Sequence, residues 1–358
     1  MSRGYADRNA RRYQAYTGIG HQAALQQMKD KAPGSRPIST AQGAQRQLEG
    51  LVFEHLKGDV AYFAHPLGIA SVLPGPGAST VTLDDSMTRH GHPLVAHAIE
   101  GLLPAEVPES VRSEGSEHIG VSGIRVARAS RRALHLTLVG TSARVILRSA
   151  GDTDWATLVG ERHSDLSVAG YKPCWNEPTL AEQEREFRTD HADYWRATED
   201  ASWLPSGLLR RVGLLHEVSS AYCTRYWATW DDWKFELNHD QDVLPAHDAL
   251  VEHLTVPKWG MELRVDKRHC QCDAVWVDPH YDRECRIELA GPQGRPGTLQ
   301  LRFRSLGTWR DSSSTHADLL RVQADPKWLH RVMPRHKSPS LSKARGRRRG
   351  RPDRSAAQ

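Results

Sequence analysis

The stretch that decides the fold class runs from Ile124 to Ser149 and reads IRVARASRRALHLTLVGTSARVILRS. Apolar residues alternate with polar ones in it, most clearly at Leu134, Leu136 and Leu138. Alternation with a period of two places the apolar side chains on one face of a strand, as in antiparallel sheets that have one solvated face. The stretch therefore predicts half-buried antiparallel strands.

A second region of the same kind lies between residues 259 and 303. Its apolar positions alternate with charged ones such as Glu262 and Arg302. The turn-rich sequence 291–297 separates its last two predicted strands. The pattern predicts a β meander with one wet face.

Helical periodicity fills most of the sequence between these two regions. Thr179 and Glu182 have the spacing of a capping box, which predicts a helix from there to about Thr198. A longer apolar face over 208–226 predicts a second helix. Together with the strands, these segments predict an α+β fold that has antiparallel sheets and helices in two globular parts.

Tryptophan divides the chain unevenly, because all eleven tryptophans lie from Trp155 onward. The turn-rich sequence 149–154 precedes that residue and favours a domain boundary there. The predicted parts are a helical hairpin (1–31), a linker (32–39), an α+β domain (40–150), a Trp-rich α+β domain ending in a β meander (151–330) and a disordered basic tail (331–358).

The overall composition is that of an ordinary globular protein. Charged residues make up 25% and hydrophobic residues 39% of the 358 positions. No run of eighteen apolar residues occurs, so no membrane span is expected. The first residues lack the apolar stretch of a signal peptide, and five sparse cysteines do not form a disulfide scaffold, so we expect a cytoplasmic protein. No motif predicts a cofactor.

Charge is concentrated at the two ends of the chain. Residues 327–358 contain eleven Lys or Arg and one acid, and residues 1–36 have a net charge of +5. The segment between them, 37–326, has a net charge of −10. Basic ends on an acidic body are typical of proteins that contact a polyanion through those ends. The sequence therefore predicts nucleic acid as a partner.

The tail carries the sequence Arg349-Gly350-Arg351-Pro352. It resembles the core of the AT-hook, a short segment that orders in the narrow minor groove of A·T-rich DNA. The resemblance implies groove contacts by these four residues. Three further arginines precede the motif and would add phosphate contacts: Arg345, Arg347 and Arg348. The alternative is a solvated tail that binds any polyanion weakly.

The N-terminal hairpin is the second candidate contact with nucleic acid, through Arg11 and Arg12. Its basic residues, a Thr17-Gly18 break and a following helix resemble a module at the ends of uncharacterised actinobacterial proteins, some of them on mobile elements. Two helices across a glycine turn form either a reduced helix-turn-helix or a segment docked on a partner or on the body. In the docked alternative, Tyr13 and Tyr16 are the anchors.

Cysteine and histidine cluster at residues 269–285, where the candidate metal ligands are Cys270, Cys272, His280 and Cys285. Zinc sites usually use the C-x₂-C spacing, whereas this sequence has Cys-x-Cys. Cysteine is also a common small buried residue. The pattern therefore favours buried cysteines, with no metal, over a zinc site.

Three tryptophans recur at a helical spacing, at Trp227, Trp230 and Trp233. On a helix they form one stripe, which either stacks on bases or sugars or packs in the core. The neighbouring acids favour the core.

No sequence signature of a known chemistry is present. The leading hypothesis is a DNA-associated accessory protein, without catalysis of its own, from an actinobacterial genome or mobile element. One alternative is an enzyme of unrecognised family, such as a metal-dependent hydrolase or nuclease acting in the second domain. Another is a structural or oligomeric protein whose Trp-rich half binds a partner, and the hairpin is a further candidate surface for a protein partner.

Overall fold

The computed structural model describes residues 3–32, 34–56, 63–84, 86–87, 92–112, 118–229, 231–240, 243, 245–271, 284–306 and 312–334. Within these residues, twelve α-helices accompany two five-stranded sheets and one three-stranded sheet. The α+β class predicted from the strand alternation and helical periodicity is confirmed.

Within the described residues, the first half of the chain contains five α-helices and eight strands. The helices of the first half are α1 Arg3–Thr17, α2 His21–Lys29, α3 Gly43–His55, α4 Leu94–Leu102 and α5 Trp155–Val168. Its strands are β1 Ile69–Pro74, β2 Ala78–Leu83, β3 Ala105–Glu106, β4 His118–Ile119, β5 Ile124–Ser130, β6 Ala133–Leu138, β7 Arg144–Ser149 and β8 Lys172–Pro173.

The second half begins with four helices, α6 Glu182–Asp190, α7 Ala192–Ala201, α8 Trp203–Leu209 and α9 Gly213–Glu217. The remaining elements are β9 Cys223–Thr229, β10 Asp232–Asp240, α10 His247–Thr255, β11 Arg264–His269, β12 Glu284–Ala290, β13 Thr298–Leu306, α11 Ser312–Arg321 and α12 Pro326–Val332.

The two large sheets have the same topology. The N-terminal sheet has the strand order β1-β2-β7-β6-β5, and the C-terminal sheet has the order β9-β10-β13-β12-β11. Each consists of a hairpin, a helix (α4 or α10) and a three-stranded meander whose last strand lies parallel to the second hairpin strand. Alternation predicts strands but not their partners, so the parallel pairs and the duplicated topology were not predicted.

Several predicted boundaries were wrong. The apolar run over 208–226 is not one helix: α8 and α9 end by Glu217 and the chain continues as strand β9. The helix predicted at Thr179 begins at Glu182, where the carboxylate of Glu184 accepts the backbone N–H of Ala181 at 2.8 Å. Apolar residues in a short segment can fit helical and strand spacing at once, so the end of a helix leaves little trace in the periodicity.

A buried ion pair joins the two halves where α3 packs on α8. Arg210 donates from Nη2 to Oε1 of Glu49 at 2.6 Å, and both side chains are fully buried. The carboxylate also accepts hydrogen bonds from Ser79 and Ser206, both at 2.6 Å. The remaining guanidinium donors reach Ser39 and the carbonyl of Gly75. A buried charge pair requires such complete hydrogen bonding, because each ion has lost its water.

The N-terminal hairpin docks on the body, which is one of the two alternatives predicted from its sequence. Tyr13 and Tyr16 are fully buried, and Tyr16 donates from its hydroxyl to the carbonyl of His253 at 3.0 Å. Gly18 turns the chain with φ +75°, and a Cβ there would lie 2.5 Å from the carbonyl oxygen of Ala70. The apolar face of this hairpin is therefore occupied by the body.

The C-terminal end of the described chain is packed. Helix α12 extends to Val332, two residues into the segment assigned to the tail, and Val332 and Met333 are buried. Residues 335–358, on which the predictions of disorder and of an AT-hook depend, lie outside the described residues.

Candidate functional sites

The predicted nucleic-acid contacts fall into two groups. Arg345, Arg347 to Arg351 and Pro352 lie outside the described residues. In the hairpin, Arg11 is exposed and pairs with Asp7 at 3.0 Å. Arg12 is also exposed, and its guanidinium lies 4.9 Å from the ring centroid of Trp259. Both arginines thus remain on the surface, although each already contacts a neighbour.

The tryptophan stripe was predicted on the wrong secondary structure. Trp227 and Trp233 lie on the neighbouring strands β9 and β10. Trp233 is directly opposite Ala228, so Trp227, the residue before Ala228, points to the other face of the sheet. Trp233 is buried and stacks on Phe53 at 5.6 Å, whereas half-buried Trp227 lies beneath Arg302 on the solvent side. Trp230 lies outside the described residues. Of the two tryptophans that the structure describes, Trp233 fits the core interpretation and Trp227 does not.

The solvent-facing side of the N-terminal sheet is strongly basic. Its five strands contain no aspartate or glutamate. The exposed side chains of Arg128, Arg144 and Arg148 flank His135, and Arg131 and Arg132 form the adjoining β5–β6 turn. We call these five arginines the arginine surface. None of them forms an ion pair or a side-chain hydrogen bond with a residue in the described ranges.

Two observations show that several of these arginines lie close to one another. Partial burial lowers the pKa of His135, and the positive charges of Arg128, Arg144 and Arg148 lower it further. Arg131, Arg132 and Arg148 also line an open concavity of about 600 Å³. One acid, Asp152, lies on its rim. The arginine surface is thus a concentration of unneutralised positive charge on a body whose net charge is negative.

The same side of the C-terminal sheet carries both signs of charge. Three glutamates lie among its basic residues and pair with them at N···O distances of 2.5–3.3 Å. The pairs are Arg225 and Arg304 with Glu236, Arg286 with Glu284, and Lys267 with Glu288. The hydrogen bond from Arg286 lowers the pKa of Glu284, although burial opposes it. This face is largely neutralised by its own side chains.

A second concavity, of about 480 Å³, lies between the halves. Arg46 and Arg295 line it beside Trp203, over which the guanidinium of Arg295 lies at 5.2 Å. Arg211 also lines it, but this side chain is buried and donates to the carbonyl oxygens of Trp259 and Gly260 at 2.9 Å. Burial lowers the pKa of Arg211 to about 9. Its bonds to main-chain carbonyls indicate a structural role.

Two of the four candidate metal ligands meet at the edge of the C-terminal sheet. The Sγ atoms of Cys270 and Cys285 lie 3.1 Å apart, across strands β11 and β12. A residue that was not predicted joins them: Nε2 of His247, the first residue of α10, lies 3.5 Å from Sγ of Cys270. The three ligand atoms all lie within 4.8 Å of one another. Cys272 and His280 lie outside the described residues.

The sequence could have shown the arginine surface but not His247. The absence of acids from the five strand segments of this sheet, with arginines at polar positions of β5 and β7, is visible in the sequence. His247 precedes Cys270 by 23 residues and lies on a different element, so no local spacing connects them. Only the packing of α10 over the β11–β12 edge brings this histidine to the cysteines.

No family model, curated protein or solved structure matches the chain. None of the helices in the described ranges is both long enough and apolar enough to span a membrane.

Proposed function

We propose that this protein binds nucleic acid through the arginine surface of its N-terminal sheet and acts as a non-catalytic accessory protein. The observation that carries the proposal is the set of five exposed arginines without an acidic partner among the residues that the structure describes. Unpaired arginines are available to phosphates at once, whereas paired ones must first give up an ion pair.

The spacing of the surface suits an extended phosphate backbone. Arg144 and Arg148 are four residues apart on one strand, which corresponds to about 13 Å. Arg128 extends the row across neighbouring strands, which lie about 4.8 Å apart. A flat array of this kind can follow several phosphates and carries no base-specific reading by itself.

The basic ends add to this surface in the proposal. The tail supplies the AT-hook-like contacts, and Arg11 supplies charge on the hairpin. The sparse cysteines suggest a cytoplasmic protein, which is part of the proposal. The resemblance of the N-terminal hairpin suggests that the protein belongs to an actinobacterial genome or mobile element.

The test compares two variants with the same change in charge. One has Arg128, Arg144 and Arg148 replaced by glutamine, and the control has Arg225, Lys267 and Arg286 replaced by glutamine, each of which forms an ion pair with a glutamate. The affinity for labelled duplex DNA is measured by fluorescence anisotropy over a range of salt concentrations. Each lost phosphate contact lowers the slope of log K against log salt by about 0.9, so the first variant should lose up to about 2.7.

The control should keep most of the slope, because its basic side chains are already paired. Equal losses in both variants would contradict the proposal. A chain that lacks residues 340–358 separates the tail from the surface. If that deletion abolishes binding and the first variant changes nothing, the tail alone is the nucleic-acid contact.

A further inference from the structure

We infer that His247, Cys270 and Cys285 form a binding site for a thiophilic divalent cation, most readily Zn²⁺, independent of the proposed nucleic-acid contact. Two thiolates and one imidazole are the ligand types that zinc prefers. Their donor atoms converge from three elements that are distant in sequence.

The distances fit tetrahedral zinc after a small adjustment. With Zn–S of about 2.3 Å and Zn–N of about 2.05 Å, a tetrahedral ion holds S and N about 3.5 Å apart and two S atoms about 3.7 Å apart. Nε2 of His247 already lies 3.5 Å from Sγ of Cys270. The two sulfur atoms, at 3.1 Å, would separate by about 0.6 Å.

The surroundings of His247 suit a ligand that binds through Nε2. Nδ1 on the other side of the ring lies 3.3 Å from a carboxylate oxygen of Asp248. The tautomer that carries its proton on Nδ1 directs this N–H toward the carboxylate and presents the lone pair of Nε2 to a metal. Arg268 pairs with the same carboxylate, and its Nη2 lies 3.2 Å from Nδ1, to which it donates only in the opposite tautomer. The ring packs edge-on against buried Phe303 at 5.8 Å, which limits its rotation.

The other half of the molecule shows what this place looks like without ligands. The helix that corresponds to α10 is α4, and it begins with buried Leu94 rather than histidine. The strand that corresponds to β12 is β6, whose inward residues Leu134, Leu136 and Leu138 are all buried leucines. One topology thus has leucines at these helix and strand positions in one half, and His247 and Cys285 at the corresponding positions in the other. Packing alone therefore does not require these residue types.

The ion would tie the start of α10 to the β11–β12 edge. Three protein ligands leave one position of a tetrahedral ion for water or a further ligand. Cys285 is buried and Cys270 exposed, so the ion would enter from the solvent side of the hairpin.

The experiment measures metal content and affinity in the reduced full-length protein. Zn²⁺ is quantified by mass spectrometry after purification, and Co²⁺ is then titrated as a spectroscopic probe of thiolate ligation. We expect one ion per chain and a thiolate-to-cobalt charge-transfer band. Cys270→Ser and His247→Asn should each weaken binding at least tenfold. Cys270 is exposed and His247 is half-buried, so neither substitution removes a fully buried side chain. Circular dichroism checks that the variants fold.

Cys174→Ser is the matched control, since Cys174 is a buried cysteine whose Sγ lies 3.2 Å from the carbonyl of Lys172, outside this cluster. It should bind metal as the parent does. The inference is overturned if the parent binds no more than the two variants do. It is equally overturned if Cys270 and Cys285 are found as a disulfide in protein isolated from a reducing cytoplasm.

Discussion

The N-terminal and C-terminal sheets share one strand order and differ in how they treat charge on the solvent side. The strands of the N-terminal sheet contain no acids, so Arg128, Arg144 and Arg148 have no partner there. The strands of the C-terminal sheet contain six acids, and Glu236, for example, pairs with two arginines. Two faces of equal architecture are therefore electrostatically unlike.

This difference shows that topology and surface charge are set by separate residues. The inward positions of both sheets are apolar and hold the fold. The outward positions do not affect strand pairing, so they are free to be neutralised or left charged. Net charge conceals the contrast, because the −10 of residues 37–326 averages an unpaired basic face with an acidic remainder.

The largest effect is expected where the two halves meet. Glu49→Ala leaves the guanidinium of Arg210 buried without its counter-ion, which should lower the free energy of unfolding by about 3–5 kcal/mol. Glu186→Ala is the control, because the ion pair of Glu186 with Arg112 is partly exposed and should contribute less than about 1 kcal/mol. Urea unfolding of both variants provides the comparison, and similar losses would show that the buried pair does not hold the halves together.

Metal removal should affect one sheet and not the other. A bound ion at 100 times its Kd stabilises the folded state by about 2.7 kcal/mol, which corresponds to roughly 3–5 °C in Tm. A chelator should therefore lower Tm and increase hydrogen exchange in β11 and β12. Exchange in β5 and β6 should stay unchanged, because their edge is packed with leucine. Uniform loosening of both sheets would contradict a local site.

Acids moved from one sheet to the other should reverse the contrast. Thr80→Glu together with Thr137→Glu places carboxylates among the arginines of the N-terminal sheet, which should weaken DNA binding about tenfold at low salt because fewer phosphates are neutralised. Glu284→Gln with Glu288→Gln frees Arg286 and Lys267, and a modest gain is expected. Anisotropy measures both, and a loss of affinity in the second variant would count against the account.

His135 provides the smallest and most local signal. Its pKa is lowered in the free protein by burial and by three arginines, so the ring is neutral above the ordinary value of about 6.5. Phosphates bound beside it would raise this pKa. Binding should therefore strengthen as the pH falls from the raised pKa of the complex to the lowered pKa of the free protein, and weaken as it rises through the same range. NMR titration of the ring with and without DNA measures the shift, and an unchanged pKa would place the DNA elsewhere.

Much of the fold could be predicted from the sequence, because alternation and helical periodicity report which face of a segment is buried. The strands around Leu136 and the anchors Tyr13 and Tyr16 were predicted from such local patterns. Pairing between distant segments has no local signal, so the parallel strand pairs were not predicted. The break of the apolar run over 208–226 into helices and a strand was missed because β-branched and aromatic residues suit either structure.

The candidate sites divide in the same way. The cysteines were visible as a cluster, but their meeting with His247 depends on how α10 packs. The arginine surface was present in the sequence as arginines at outward strand positions. The negative net charge of residues 37–326, however, indicated basic contacts only at the chain ends. Local charge pairing, which needs the strand register, decides which arginines are available.

The proposed function requires that nucleic acid contacts the arginines of the N-terminal sheet, which lack an acidic partner among the described residues, and not the ion-paired arginines of the C-terminal sheet. Arginine-selective modification, read by peptide mass spectrometry on the full chain with and without duplex DNA, tests it most directly. DNA should protect Arg128, Arg144 and Arg148 several-fold, while the ion-paired Arg225 and Arg286 react at unchanged rates. Protection of Arg225 and Arg286 instead, or protection confined to residues 345–354, would contradict the proposed function.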